Sequence, residues 1–227
     1  MLARWLALVV VVGAVVMWFA RSGNASSRQP IPPAATDLPL AHAPGKAKAV
    51  FAGGCFWGTQ SVFERVKGVV DTTAGYAGGS AATATYDQVT TETTGHAESV
   101  EVVYDPSKIT YGLLLRIFFS VAHDPTQLDR QGPDVGTSYR SAIFYENDDQ
   151  KRIAEAYIAQ LDRDKVFPKP IVTEVTPLKG FYRAEEYHQD YALHNPGNPY
   201  ILVCDRPKID ALKQQFPELF VDYTGKH

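Results

Sequence analysis

From residue 48 onward, short apolar runs alternate with stretches in which apolar residues recur every three or four positions. "KAVFAG" (48–53) reads as a strand. "GTQSVFERVKG" (58–68) reads as a helix, with Val62, Phe63 and Val66 on one side and Gly68 to end it. "HAESVEVVYDP" (96–106) alternates, which puts Glu98, Val100, Val102 and Tyr104 on one face of a strand and Ser99, Glu101 and Val103 on the other. "TYGLLLRIFFSVAH" (110–123) predicts a helix capped by Thr110, with Leu113, Leu114, Ile117, Phe118 and Val121 as its buried stripe. Further on, the pattern predicts strands at 140–146, 170–178 and 200–205 ("YILVCD"), and helices at 148–164, 184–194 and 208–216. No segment repeats. Helices interspersed with short strands predict an α/β (α+β) chain, a two-layer sandwich with a mixed β-sheet.

The ends of the chain differ from this middle. "WLALVVVVGAVVMWFA" (5–20) is uncharged and lies between Arg4 and Arg21; its length falls between a signal-peptide core and a full membrane span. Residues 1–21 therefore read as a signal peptide or membrane anchor. Either carries the remainder to the periplasm or cell envelope, free or tethered to the membrane. Residues 22–47 contain five prolines among alanine, serine and glycine and read as an extended linker. The folded domain is expected over 48–222, with 223–227 as a tail.

Composition narrows the function. The 227 residues carry a formal net charge of -3 and no basic tract, which argues against nucleic acid as a partner. The two cysteines, Cys55 and Cys204, form no C-x-x-C pair, and the histidines at 96, 123, 188 and 194 lack close i, i+4 pairing, so no metal site is indicated. Cys55 lies in "VFAGGCFWGTQSVF" (50–63), where a strand turns into a helix, and backbone N–H groups at a helix start would favour its thiolate. A cysteine with aromatic neighbours can also be a small buried hydrophobe. Two features favour reactivity. Glycines flank "CFW", and Phe56 and Trp57 come too early in the helix to join the Val62–Phe63–Val66 stripe, so they look like pocket walls.

"GCFWG" (54–58) resembles the active-site signature of the A-type peptide methionine sulfoxide reductases. The likeness continues through "GVVDTTAGYAGG" (68–79), "TYDQV" (85–89), "TGHAESVEVVYDP" (94–106), "HDPTQLDRQGPDVGTSYRSAIFY" (123–145) and "EEYHQDY" (185–191). The resemblance implies reduction of the S epimer of methionine sulfoxide, free or in proteins, on a mixed fold with a ferredoxin-like core. It casts Cys55 as nucleophile and Glu98 as proton donor, a role that burial would serve by raising the carboxyl's pKa. It casts Tyr86 and Tyr139 as hydrogen-bond partners of the sulfoxide oxygen, and Asp134 in "GPDVG" as an orienting residue or a turn residue. Phe56 and Trp57 would cage the substrate's S-methyl group, and His188 would support the site. No metal or cofactor is implied. The partners would be oxidised proteins and peptides and an external thiol (thioredoxin-like, glutaredoxin-like or small), acting on a monomer.

One departure stands out. Many relatives carry one or two recycling cysteines in a glycine-rich tail, whereas this chain ends "FPELFVDYTGKH" without one. Cys204 is the candidate resolving residue, but a rigid strand would not bring it to Cys55, and an apolar filler is the alternative. Two rival functions remain at this stage: a thiol hydrolase built on Cys55, His188 and Asn195, and a non-catalytic methionine-binding module.

Overall fold

The computed structural model describes residues 30–225. The 5–20 run lies outside them, and among the described residues no helix is long and apolar enough to cross a membrane. A six-stranded mixed sheet organises the chain. Its strands are β1 (Ala47–Gly53), β2 (Val69–Ala77), β3 (Ala97–Tyr104), β6 (Ser141–Tyr145), β7 (Glu174–Pro177) and β8 (Phe181–Arg183), in the order β7-β6-β1-β3-β2-β8. All neighbours are antiparallel except β6 and β7. A separate hairpin pairs β4 (Arg130–Gln131) with β5 (Asp134–Val135).

The sheet follows from alternation. In β1, Ala49 and Phe51 join the main core while Val50 and Ala52 join a smaller cluster with Ala77, Ala97, Ala142 and Phe144, so this central strand is apolar on both faces. In β3, Glu98, Val100, Val102 and Tyr104 are all buried, the face expected from the sequence. The main core is covered by α1 (Phe56–Phe63), α3 (Tyr111–Ile117), α4 (Asp148–Arg163) and α6 (Arg206–Gln215); two short helices, α2 (Tyr86–Val89) and α5 (Tyr191–His194), lie nearer the site. Thr110 caps α3 as its position predicts, accepting the Leu113 N–H at 3.2 Å. α3 then widens into a π-helical turn over Phe118–Ala122.

Several expectations are corrected. The apolar run at 200–205 is not a strand. Ile201–Asp205 forms a π-helical turn continuous with α6, started by Asn198, whose side chain accepts the Tyr200 N–H at 2.8 Å and whose carbonyl accepts the Leu202 N–H at 3.0 Å. Leu202 and Val203 point to solvent, 51% and 74% exposed, so Cys204 does not follow Leu202 inward. The single helix expected over 184–194 is broken between Glu186–His188 and α5. At the break the Gln189 amide pairs with both the N–H and the carbonyl of Ala74, each at 3.0 Å, extending the edge of β2 by a side chain. β2 and β8 were not anticipated, because their small and polar residues carry little apolar signal. The 30–45 part of the expected linker is extended but bonded to the domain: Tyr157 donates to the Pro32 carbonyl at 2.6 Å, and Asp37 accepts the Gly112 N–H at 2.9 Å.

Candidate active site

Cys55 sits immediately before the first residue of α1, at the end of β1. The two glycines of "GCFWG" have separate reasons. Gly54 has φ +83°, and a Cβ there would lie 2.5 Å from Gln131 Cβ, so glycine lets the β4–β5 hairpin close against the backbone that leads to the thiol. A Cβ at Gly58 would lie 2.1 Å from Asp205 Oδ1, so the bare backbone of α1 admits the buried Asp205 carboxylate and its partner Lys208, 3.3 Å away.

The thiol's immediate partners are an acid and a helix N–H. Glu98 projects from the buried face of β3, and its Oε2 accepts the N–H of Phe56, the residue after Cys55, at 3.0 Å. Burial pushes Glu98 up to about 8, with the Phe56 N–H working against it and the Asp134 charge adding to it. Burial, then the charges of Glu98 and Asp205, hold the Cys55 thiol well above the ordinary thiol range, although the Trp57 N–H and Lys208 pull it down. The helix start therefore does not deliver a resting thiolate. Around neutrality the pair is a thiol beside a carboxylic acid.

Tyr86 and Tyr139 pack against the core cluster that contains Cys55, and burial, then the charges of Glu98 and Cys55, raise both phenols. The Tyr86 N–H donates to Glu185 Oε1 at 2.9 Å, and Glu185 Oε2 accepts the Tyr76 hydroxyl at 2.9 Å, which fixes where α2 starts. Asp134 is more than a turn residue: it accepts a hydrogen bond from the Tyr200 hydroxyl, joining the β4–β5 hairpin to the residue that leads into the 201–205 turn. Trp57 stacks on Tyr191, ring centroids 3.8 Å apart, meets the edge of Tyr200, and donates its Nε1–H to His188 Nδ1 at 3.2 Å. Phe56 is only 1% exposed and packs on Tyr76 and His188, so it belongs to the core as well as to the cluster around the thiol. Burial lowers His188, leaving it neutral among the rings of Phe56, Trp57, Tyr86 and Tyr187. Asn195 is bonded to the Tyr191 carbonyl, so His188 and Asn195 do not form a hydrolase row with Cys55.

Residues 47–219 match the family model described as peptide methionine sulfoxide reductase. The chain belongs to that family. A Mesorhizobium japonicum protein named peptide methionine sulfoxide reductase MsrA 2 is 60% identical over 178 residues, 78% of this chain and 91% of its own. A protein of the same name from Synechocystis sp. is 54% identical over 174 residues, 77% of this chain and 81% of its own. Among solved structures, Mxr1 from Saccharomyces cerevisiae in reduced form aligns with a TM-score of 0.62 at 34% identity, covering 72% of this chain and 92% of that one. Methionine sulfoxide reductase A of Corynebacterium diphtheriae aligns with a TM-score of 0.58 at 38% identity, covering 75% and 83%.

As a peptide methionine sulfoxide reductase, the protein is an oxidoreductase, and the hydrolase and binding-module alternatives fall away. Sequence reasoning missed three polar residues beside the cluster: Tyr200, Glu185 and Asp205. Tyr200 and Glu185 work through partners distant in the chain, Asp134 and Tyr86, and a single sequence carries no sign of such pairings. The nearest signal was Glu185 within "EEYHQDY". Cys204 is half-buried beside Asp205, and burial followed by the charges of Asp205 and Asp134 raises its thiol.

Proposed function

We propose that this reductase acts on the S epimer of methionine sulfoxide, free or in proteins, through attack of the Cys55 sulfur on the sulfoxide sulfur. Glu98 protonates the sulfoxide oxygen and takes up the thiol proton as the bond between the Cys55 sulfur and the substrate sulfur forms. That bond and the substrate's S–O bond then break as the hydroxyl passes to the Cys55 sulfur, so the thiol sulfur is oxidised by two electrons to a sulfenic acid, the substrate sulfur is reduced by two, and methionine is released. Tyr86 and Tyr139 hold the oxygen by their hydroxyls. Phe56 and Trp57 receive the methyl group, with His188 fixing the indole and Asp134 fixing Tyr200. The observation that carries this reading is a buried acid, Glu98, bonded to the N–H of the residue after Cys55 and kept protonated by burial up to about 8. A sulfoxide sulfur becomes a good electrophile only when its oxygen is protonated, and this pair brings nucleophile and proton together.

An external thiol, from a thioredoxin-like or glutaredoxin-like protein or a small molecule, then reduces the sulfenic acid, since Cys204 has little thiolate to offer. A ferredoxin-like core is supported by the strand order β6-β1-β3-β2 with α1 and α3 in the two crossovers. The protein works as a monomer in the periplasm or cell envelope, carried there by residues 5–20; full-length protein recovered free in the cytosol after fractionation would contradict that location. The chemistry is tested with separated epimers of a methionine sulfoxide peptide and dithiothreitol. The parent is expected to reduce the S epimer only, and Cys55→Ser, folded by circular dichroism, to reduce neither. Activity of Cys55→Ser within a fewfold of the parent would rule the mechanism out.

A further inference from the structure

Glu92 has a backbone that its side chain does not favour. It lies at φ +63°, a conformation that suits glycine and is uncommon for a residue with a long side chain. The local sequence does not demand it, so something beyond the local backbone must hold it there. Its carboxylate supplies the answer. The side chain accepts the Ser138 N–H at 2.7 Å, the Ser138 hydroxyl at 2.7 Å and the Thr137 hydroxyl at 3.1 Å, and its carbonyl accepts the Thr137 hydroxyl at 3.3 Å. Opposite it stands Gly136 at φ +145°, where a Cβ would lie 2.3 Å from the Glu92 carboxyl carbon. The receiving turn is shaped around this one side chain.

Both ends of the contact lead to the site. The Thr137–Tyr139 turn is closed by the Tyr139 N–H on the Gly136 carbonyl at 3.1 Å, so grasping Thr137 and Ser138 fixes the residue that follows. Ser138 is itself 1% exposed. On the other side, the Glu92 N–H donates to the Val89 carbonyl at 3.0 Å and the Thr90 N–H to the Tyr86 carbonyl at 3.0 Å, which makes Glu92 the continuation of α2. Tyr86 starts α2 and Tyr139 ends the turn, yet no hydrogen bond links the two phenols directly among those described.

We infer that Glu92 is a positioning residue of this active site: its carboxylate fastens the turn that carries Tyr139 to the helix that carries Tyr86, and so sets the spacing of the two phenols. The inference rests on the proposed binding of the sulfoxide oxygen by these tyrosines. Its consequence is specific. Loss of the clamp loosens the phenols where charge develops on the oxygen, so turnover suffers more than substrate capture.

The test is a double-mutant cycle with a methionine sulfoxide peptide and dithiothreitol, using Glu92→Gly, Tyr139→Phe and the pair. Glycine relaxes the backbone at this position, so Glu92→Gly is expected to melt within about 4 °C of the parent. Its kcat is expected to fall roughly tenfold to a hundredfold, the range a slight misplacement of binding groups produces, with KM changed less than threefold. Combined with Tyr139→Phe, Glu92→Gly should add less than about twofold, because the hydroxyl it positions is gone. Glu92→Gln, which keeps an acceptor oxygen, should recover part of the loss, and it replaces Glu92→Gly in the cycle if the glycine variant does not fold.

Three results would overturn the inference. One is a Glu92→Gly kcat within twofold of the parent while Tyr139→Phe is slow. Another is a Glu92→Gly loss of the same size in the Tyr139→Phe background; Glu92 would then act by another route, such as its charge on Glu98. The third is a Tyr139→Phe variant as fast as the parent, which removes the tyrosine assignment and the clamp with it.

Discussion

A thiol and a carboxylic acid held together in a buried site govern each other's protons. Ionising either one leaves an uncompensated charge beside the other, which is why the charge on Glu98 ranks second only to burial in raising Cys55. In the proposed mechanism the productive resting state is therefore the doubly protonated pair, with nucleophilicity arising when the thiol proton leaves as the sulfoxide oxygen receives one. Glu98 holds its proton up to about 8, so the rate of the chemical step is expected to be level around neutrality and to fall as pH rises through about 8. Glu98→Gln retains a side chain of the same shape but has no proton to transfer. Single-turnover rates should drop by about 10²- to 10⁴-fold and lose that alkaline limb, while peptide affinity changes little. The stability profile gives an independent check on the same carboxyl. Its folded pKa lies above the ordinary 4.5, so its stabilising contribution is complete below about 4.5 and is lost as pH rises through about 8. Denaturant titrations of Glu98→Gln should lack that decline. A variant with unchanged single-turnover rates would mean that another group supplies the proton.

At the scale of elements, what was legible in the sequence was what periodicity controls. The β3 face bearing Glu98, the strand-to-helix junction at Cys55 and the Thr110 cap all follow from local patterns, and the structure has them. "YILVCD" was not legible, because a short apolar run fits a strand or a helix equally well and only its surroundings decide. Asn198 starts a helical turn there, and Leu202 and Val203, which look like core residues, face solvent. This bears on turnover. In the helical turn Cys204 follows Tyr200, the hydrogen-bond partner of Asp134, by four residues. Burial and the charges of Asp205 and Asp134 nevertheless keep its thiol protonated. Cys204→Ala is therefore expected to keep most of its dithiothreitol-driven turnover, and one equivalent of substrate should leave Cys55 as a sulfenic acid that dimedone traps, seen by mass spectrometry. Loss of both thiols per sulfoxide reduced, with a Cys55–Cys204 disulfide in the peptide map, would make Cys204 the resolving residue and would require the 201–205 turn to unwind.

At the scale of the whole molecule, the folded unit begins before the family match does. The match starts at residue 47, yet residues 30–45 run across α3 and α4 as a strap. The Ile31 carbonyl accepts from Arg116 Nε at 2.7 Å, and the Pro32 carbonyl accepts from the Tyr157 hydroxyl at 2.6 Å. Gln160 reads both sides of the backbone, its Nε2 donating to the Pro33 carbonyl at 3.0 Å and its Oε1 accepting the Ala35 N–H at 2.8 Å. Composition hid this, because a proline-rich stretch reads as a linker whether it is solvated or docked. Proline in fact suits the role: it has little backbone freedom to lose, and its carbonyl stays free to accept. The strap also fixes the course of residues 30–35 over the end of α4 that bears Tyr157 and Gln160. Removing residues 1–45 is expected to lower stability relative to removing 1–29, through loss of these partly buried hydrogen bonds and of the packing of Ile31 and Ala34 on the core. Both truncations should retain the parent's kcat, because no strap residue contacts the Cys55 cluster among the hydrogen bonds described. Urea titrations of the two proteins measure the difference, and coincident curves would show that the strap rests on the domain without stabilising it.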